Sequence, residues 1–145
     1  MPKFKPVDAN FESRIQTNFN SQRALQTLNA RLVKVCAGEV QIEFPFSDAL
    51  TQQDGFIHAG MITAVMDSAC GYAAYTLMPA DSRVLTVEYK VNFLSPAKAE
   101  KFIGIGKVIK PGRTLTACAG EVWAMGHGED KRIAIMQATM IMVEK

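Results

Sequence analysis

One carboxylate, Asp67, stands inside the most apolar stretch of this chain, residues 55–80. A charged carboxylate is costly to remove from water, so it demands a hydrogen-bonding partner or a wet cleft. The residue type leaves two readings open: a structural aspartate tied to a backbone group, or a general base or nucleophile. Just upstream runs Gln52-Gln53-Asp54-Gly55-Phe56-Ile57-His58-Ala59-Gly60. Gly55 and Gly60 permit a tight loop close to a ligand. A helix starting near His58 would offer free backbone N–H groups and its dipole to an oxyanion or a polarised carbonyl. Gln52 adds a side-chain donor and acceptor.

Helix geometry constrains how these groups could cooperate. Asp67 is nine residues beyond His58, which places it ~13–14 Å along a helix and on the opposite side. One chain does not easily bring Asp67 to its own helix N-terminus. Two helices antiparallel across a two-fold axis could set Asp67 of one copy against the Ala59 N–H of the other. A symmetric dimer is therefore part of the functional expectation.

The elements that must position these groups follow from hydrophobic periodicity. Residues 9–29 read as one or two short helices, broken near residues 18–21. Residues 31–37 and 39–46 read as a hairpin around Gly38, with Val40, Ile42, Phe44 and Phe46 alternating. A polar loop covers residues 47–57. Residues 58–78 read as a helix that is apolar almost all round and so buried on most sides. Strands are expected at residues 84–93, 102–109, 115–125 and 134–143. In the first of these, strict alternation puts Leu85, Val87, Tyr89, Val91 and Phe93 on one face and Thr86, Glu88, Lys90 and Asn92 on the other. The order predicts an α+β fold, an antiparallel sheet packed on the long helix. One sheet face does not cover such a helix, so a curled sheet or a second subunit is required.

Composition bounds the rest. At 145 residues the expectation is one domain, 1–145, able to build a core without metal or disulfide staples. The net charge of +2 argues against a nucleic-acid partner. Cys36, Cys70 and Cys118 are odd in number and widely spaced, which fits a reducing compartment and excludes a CxxC pattern. The longest charge-free run, residues 68–80, falls short of the ~20 residues that span a bilayer. No apolar signal segment follows Lys3 and Lys5. The expectation is a cytoplasmic protein with no membrane partner. His58 and His127 lie far apart with no Cys/His cluster, which argues against zinc. Cys70 reads as a buried, inert thiol, and Tyr72 and Tyr75 as packing residues.

The ordered set Gln52-x-x-Gly55-x-x-His58-Ala59-Gly60 with Asp67 resembles the signature of PaaI-like (phenylacetate-degradation) hotdog-fold thioesterases. Residues 85–97, Leu-Thr-Val-Glu-Tyr-Lys-Val-Asn-Phe-Leu-Ser-Pro-Ala, resemble the strand after the helix in that family. The turn Lys-Pro-Gly-Arg-Thr at 110–114 is similar too. The likeness covers roughly residues 22–143. It implies a hotdog fold, with the sheet wrapped round the helix, assembled as a dimer or a dimer of dimers (a homotetramer). The implied activity is hydrolysis of an acyl-CoA, with sites at the dimer interface and no cofactor. Asp67 matches the family's catalytic carboxylate, the Ala59 N–H the group that polarises the thioester carbonyl, and Gln52 a residue that positions the carbonyl or the water. His58 supports the loop, and Thr86 matches a position where some members place a hydroxyl near the site. Many members have His-Gly-Gly where this chain has His58-Ala59-Gly60, which keeps the N–H but leaves less room.

Thioester chemistry suits this residue set. The carbonyl is electrophilic and thiolate leaves readily, so one carboxylate and an oxyanion site can suffice. From Tyr89 to Gly120 basic residues outnumber acidic ones. Lys110 and Arg113 are the best candidates there for CoA phosphates; a solvated strand edge is the plain alternative. The acyl group expected is aryl or medium-length and apolar. Two other classes compete: a non-catalytic hotdog module that senses acyl-CoA, and a hotdog enoyl-thioester hydratase using His58.

Overall fold

A computed structural model describes residues 4–126 and 128–145. His127 therefore lies outside the described residues. Two short helices, α1 (Phe11–Asn20) and α2 (Arg23–Thr27), lead into a hairpin of β1 (Arg31–Cys36) and β2 (Glu39–Pro45). A single 3-10 turn at Asp48–Leu50 precedes the long helix α3 (Ala59–Tyr75). Four strands follow: β3 (Ser82–Phe93), β4 (Lys101–Lys110), β5 (Leu115–Met125) and β6 (Lys131–Glu144). All pair antiparallel in one six-stranded sheet of order β1-β2-β4-β5-β6-β3.

The sheet's inner face carries Val40, Ile42, Phe44, Phe102, Val122 and Met140, all fully buried. They pack on Ile62, Val65, Met66, Ala69 and Cys70 of α3. Close approach of helix to sheet depends on β4. A Cβ at Gly106 would overlap the Ala69 backbone, and one at Gly104 would press on Val65. Glycine is required there because only backbone fits between the two layers.

The sheet covers one side of α3. The C-terminal half of its other side is covered by α1 and α2. Phe19 packs on Tyr72 with ring centroids 6.0 Å apart. Arg14 lies over the Tyr75 ring and donates to the Tyr75 and Met78 carbonyls at the end of α3. It thereby ties α1 to the last turn of α3 and the segment just beyond it. The N-terminal end, from His58 to Gly60, is left exposed.

The expected alternation fails in β3. A bulge between Thr86 and Glu88 inserts one extra residue. Thr86 pairs with buried Met140, while beyond the bulge Tyr89, Val91 and Phe93 pair with Ala138, Met136 and Ala134, all buried. Thr86 therefore shares the inner face with Tyr89, Val91 and Phe93, and Leu85 turns outward. Side chains alternate with period two, so one inserted residue swaps faces for everything beyond it.

Candidate active site

Asp67 lies near the middle of α3, half-buried. Its Oδ1 accepts a hydrogen bond of 2.7 Å from the Thr86 hydroxyl, which the β3 bulge brings to the inner face. Among the described residues no backbone group holds the carboxylate and no cation pairs with it. Burial raises its pKa above the ordinary carboxylate value, and the Thr86 hydrogen bond only partly offsets this. Asp67 and Thr86 line a cavity of about 160 Å³.

A second cavity, of about 450 Å³, opens at the other end of α3 beside Gln52, Ala59 and Phe93. His58 is the N-cap of the helix, and its Nδ1 accepts from the Gly60 N–H at 2.8 Å. The Met61 N–H bonds to the His58 carbonyl. The Ala59 N–H is left as the amide of this first turn with no acceptor among the described residues. An unpaired N–H at a helix N-terminus is poised for a negative oxygen. Gln52 is fixed by its own loop. Its Oε1 accepts from the Asp54 and Phe56 N–H groups at 2.6 and 3.2 Å, in a turn that Gly55 closes at φ +85°. The side-chain NH₂ makes one long bond, to Asp54 Oδ2 at 3.5 Å, and so keeps a second proton for a ligand. The His58 ring and the Gly60 N–H are bonded to one another, so their contribution runs through the cap. A Cβ at Gly60 would crowd that ring.

Residues 54–131, more than half of the chain, match the model of the thioesterase superfamily. The chain belongs to that superfamily. A thioesterase family protein from Silicibacter pomeroyi superposes with a TM-score of 0.91 at 44% identity, over 93% of this chain and 99% of that one. A Saccharolobus solfataricus protein with an esterase designation is 33% identical over 88 residues, 61% of this chain and 62% of that protein. The chain thus spans under two-thirds of that relative's length. The E. coli PaaI protein of the phenylacetic acid degradation operon shares the fold, with a TM-score of 0.82 at 12% identity, over 92% of this chain and 94% of that one. The α+β hotdog fold expected from the sequence is the fold observed.

Not every expected residue of this thioesterase-superfamily chain meets a cavity. Asp67 and Thr86 line one, and Gln52 and Ala59 the other. Lys110 and Arg113 sit at the β4–β5 turn, Lys110 and Arg113 both exposed, and line neither. The turn is held to β6 by a Met142 N–H to Thr114 carbonyl bond, so it lies at the Thr86 end of the sheet. Cys70 is fully buried, and burial pushes its thiol well above the ordinary range, so it is no nucleophile. Four polar residues of the Asp67 cavity were not anticipated as site residues: Asn18, Gln22, Ser68 and Tyr72. Tyr72 does pack, as its type suggests, but its hydroxyl also lies 3.0 Å from Asn18 Oδ1 and 2.9 Å from Gln22 Oε1. No local spacing signals a contact between residues so far apart in sequence.

No helix among the described residues is long and apolar enough to cross a membrane.

Proposed function

We propose that this protein is a PaaI-like acyl-CoA thioesterase that works as a dimer, with each site shared between two subunits. The observation that carries the reading is Asp67: a carboxylate with no cation among the described residues, its pKa raised by burial, facing a cavity and bonded to the Thr86 hydroxyl. A structural aspartate would be neutralised or bound to backbone; this one is kept basic and accessible.

The dimer follows from β3. It is an edge strand, bonded only to β6, and Leu85, Val87, Tyr89, Phe93 and Leu94 are each about half exposed. A long apolar edge of this kind invites a second strand. Antiparallel pairing of two β3 strands lays the N-terminal half of one against the C-terminal half of the other. Leu85 and Thr86 border the Asp67 cavity, and Phe93 and Leu94 the Ala59 cavity. The two-fold axis therefore merges the first cavity of one subunit with the second cavity of its partner. Within one subunit the two are separated by ~12 Å of helix.

In the merged site the thioester carbonyl accepts from Ala59 N–H and Gln52 NH₂ of the partner subunit. Asp67 either takes a proton from the attacking water or attacks the carbonyl itself. Negative charge gathers on the carbonyl oxygen, where the two donors hold it. Thiolate then leaves with its electron pair and is protonated; in the water route free acid is released directly, and in the direct route a water hydrolyses the acyl–Asp67 anhydride to free acid and restores the carboxylate. Thr86 orients the Asp67 carboxylate. Lys110 and Arg113, at the Thr86 end of the sheet, meet the CoA phosphates.

The test is free-thiol release from phenylacetyl-, benzoyl- and straight-chain acyl-CoAs, wild type beside Asp67→Asn, with the assembly state measured for both. Turnover lost in an intact dimeric Asp67→Asn supports the proposal. Full activity in that variant, or a monomer that turns over, overturns it.

A further inference from the structure

Resting on the thioesterase reading, one glycine of α3 bears on the size of the acyl group. Gly71 follows Asp67 by four residues, so the two are neighbours on one helix face. Both line the same cavity, with Gln22 and Tyr72 beyond them and Thr86 and Met140 on the sheet side. A glycine in a helix interior weakens the helix relative to alanine, because it orders a freer backbone and packs no side chain. Its presence there needs a reason.

Packing supplies that reason for other glycines of this chain. A Cβ at Gly106 would overlap the Ala69 backbone, one at Gly104 would press on Val65, and one at Gly120 would press on Cys70 Sγ. All three let α3 lie close against the sheet. At Gly71 the nearest atom to such a Cβ would be Met140 Sδ at 4.0 Å, an ordinary contact. Backbone conformation does not require glycine either, since Gly71 lies within α3 and is not one of the glycines with positive φ.

The side chain that Gly71 lacks would stand in the cavity. Met140, the atom group it would approach, borders the same space. That space is about 160 Å³, close to the ~150 Å³ that accommodates one benzene. Asn18 and Gln22 of the N-terminal segment bound its far side, so it suits the end of a molecule rather than a chain passing through. An acyl-CoA has one such end near its thioester, the acyl group.

We infer that Gly71 is a specificity-determining residue: by carrying no side chain, it admits beside Asp67 an acyl group the size of one aromatic ring or a six-carbon chain. The helix is weaker for it and the site is wider.

The test sets propanoyl-CoA against whichever of phenylacetyl-, benzoyl- and hexanoyl-CoA the wild type turns over fastest. The readout is the ratio of kcat/KM, bulky over propanoyl, which does not depend on the fraction of each preparation that is folded. Gly71→Ala should lower that ratio by about tenfold, the effect of one extra carbon in a filled pocket, and Gly71→Leu should lower it further. Gly71→Ala should also melt about 3 °C above wild type, with the dimer intact. A ratio unchanged in both variants overturns the inference, and so does a wild type that turns over propanoyl-CoA alone. A dimer weakened in Gly71→Ala overturns it too, because the space would then belong to the partner chain. In each of these cases, turnover lost in Asp67→Asn leaves the thioesterase reading intact. No turnover of any acyl-CoA by wild type overturns both.

Discussion

Asp67 on α3 and Glu43 on β2 are two carboxylates drawn out of water by folding, and the chain treats them in opposite ways. Glu43, on β2, is 8% exposed. Its Oε1 accepts two hydrogen bonds from Arg31, at 2.9 and 2.7 Å, and its Oε2 pairs with Lys101 Nζ at 2.9 Å. Burial alone would push its pKa up, but the Lys101 and Arg31 bonds outweigh that and hold it below the ordinary range. Asp67 has no cation among the described residues, and burial wins over its bond from Thr86. The difference separates a carboxylate that holds strands together from one held ready to take a proton. Neighbours decide which, since burial alone would raise the pKa of both carboxylates.

The sharpest way to break the comparison is to remove each charge while keeping the shape. Asp67→Asn should lower kcat/KM by about a hundredfold or more, whereas Glu43→Gln should leave it within about twofold of wild type. Thiol release on one substrate reads both. Equal losses would mean that the two sites do not differ in kind.

Next in size is Thr86→Val, expected to cost about tenfold in kcat/KM through loss of one oriented hydrogen bond. This substitution also has a signature in pH. Asp67 acts ionised, so activity rises with pH through its midpoint, above the ordinary aspartate value of about 3.9. The Thr86 bond is what lowers that midpoint, so the rising limb in Thr86→Val should move to higher pH. A pH–rate profile with the limb unmoved would break the link between the two residues.

Stability should move in opposite directions. The lowered pKa of Glu43 means the folded chain holds its proton less tightly than the unfolded one. Its contribution is therefore present above the unfolded midpoint of about 4.3 and lost as pH falls through the lower folded midpoint. Arg31 and Lys101 are 72% and 44% exposed, so solvent screens the pair. Glu43→Gln should cost about 1–2 kcal/mol at neutral pH, read by denaturant unfolding.

The smallest effect expected is a gain. With its pKa raised on folding, Asp67 binds a proton more tightly in the folded chain. Stability then falls as pH rises from the unfolded midpoint of about 3.9 to the folded one, and the cost persists at neutral pH. Asp67→Asn should therefore raise the melting temperature at pH 7, with the gap closing below about pH 4. A variant that is inactive and slightly more stable is the mark of a functional carboxylate.

Much of this was legible in the sequence because it is local. The α3 helix, the hairpin around Gly38 and the four later strands each follow from a hydrophobic period, and their observed ends differ from the expected ones by a few residues. Asp67 stood out because a carboxylate within an apolar helix needs a reason. The loop from Gln52 to Gly60 announced a helix start, and the cap by His58 is such a start. The face of Thr86 was misplaced because strict alternation cannot foresee a bulge. Asn18 and Gln22 were not singled out because nothing in residues 9–29 says what they pack against.

By itself, the sequence determined which groups are available: a carboxylate, a helix-terminal N–H, an amide on a tight loop, and the order of elements that carries them. Those follow from residue type and from interactions within a few positions along the chain. Only the tertiary structure decided which of them meet. The bulge at Val87 turned Thr86 onto Asp67, two loop amides fixed the working end of Gln52, and the N-terminal segment closed the Asp67 cavity with polar groups. Each of these depends on packing that residue type and periodicity do not encode.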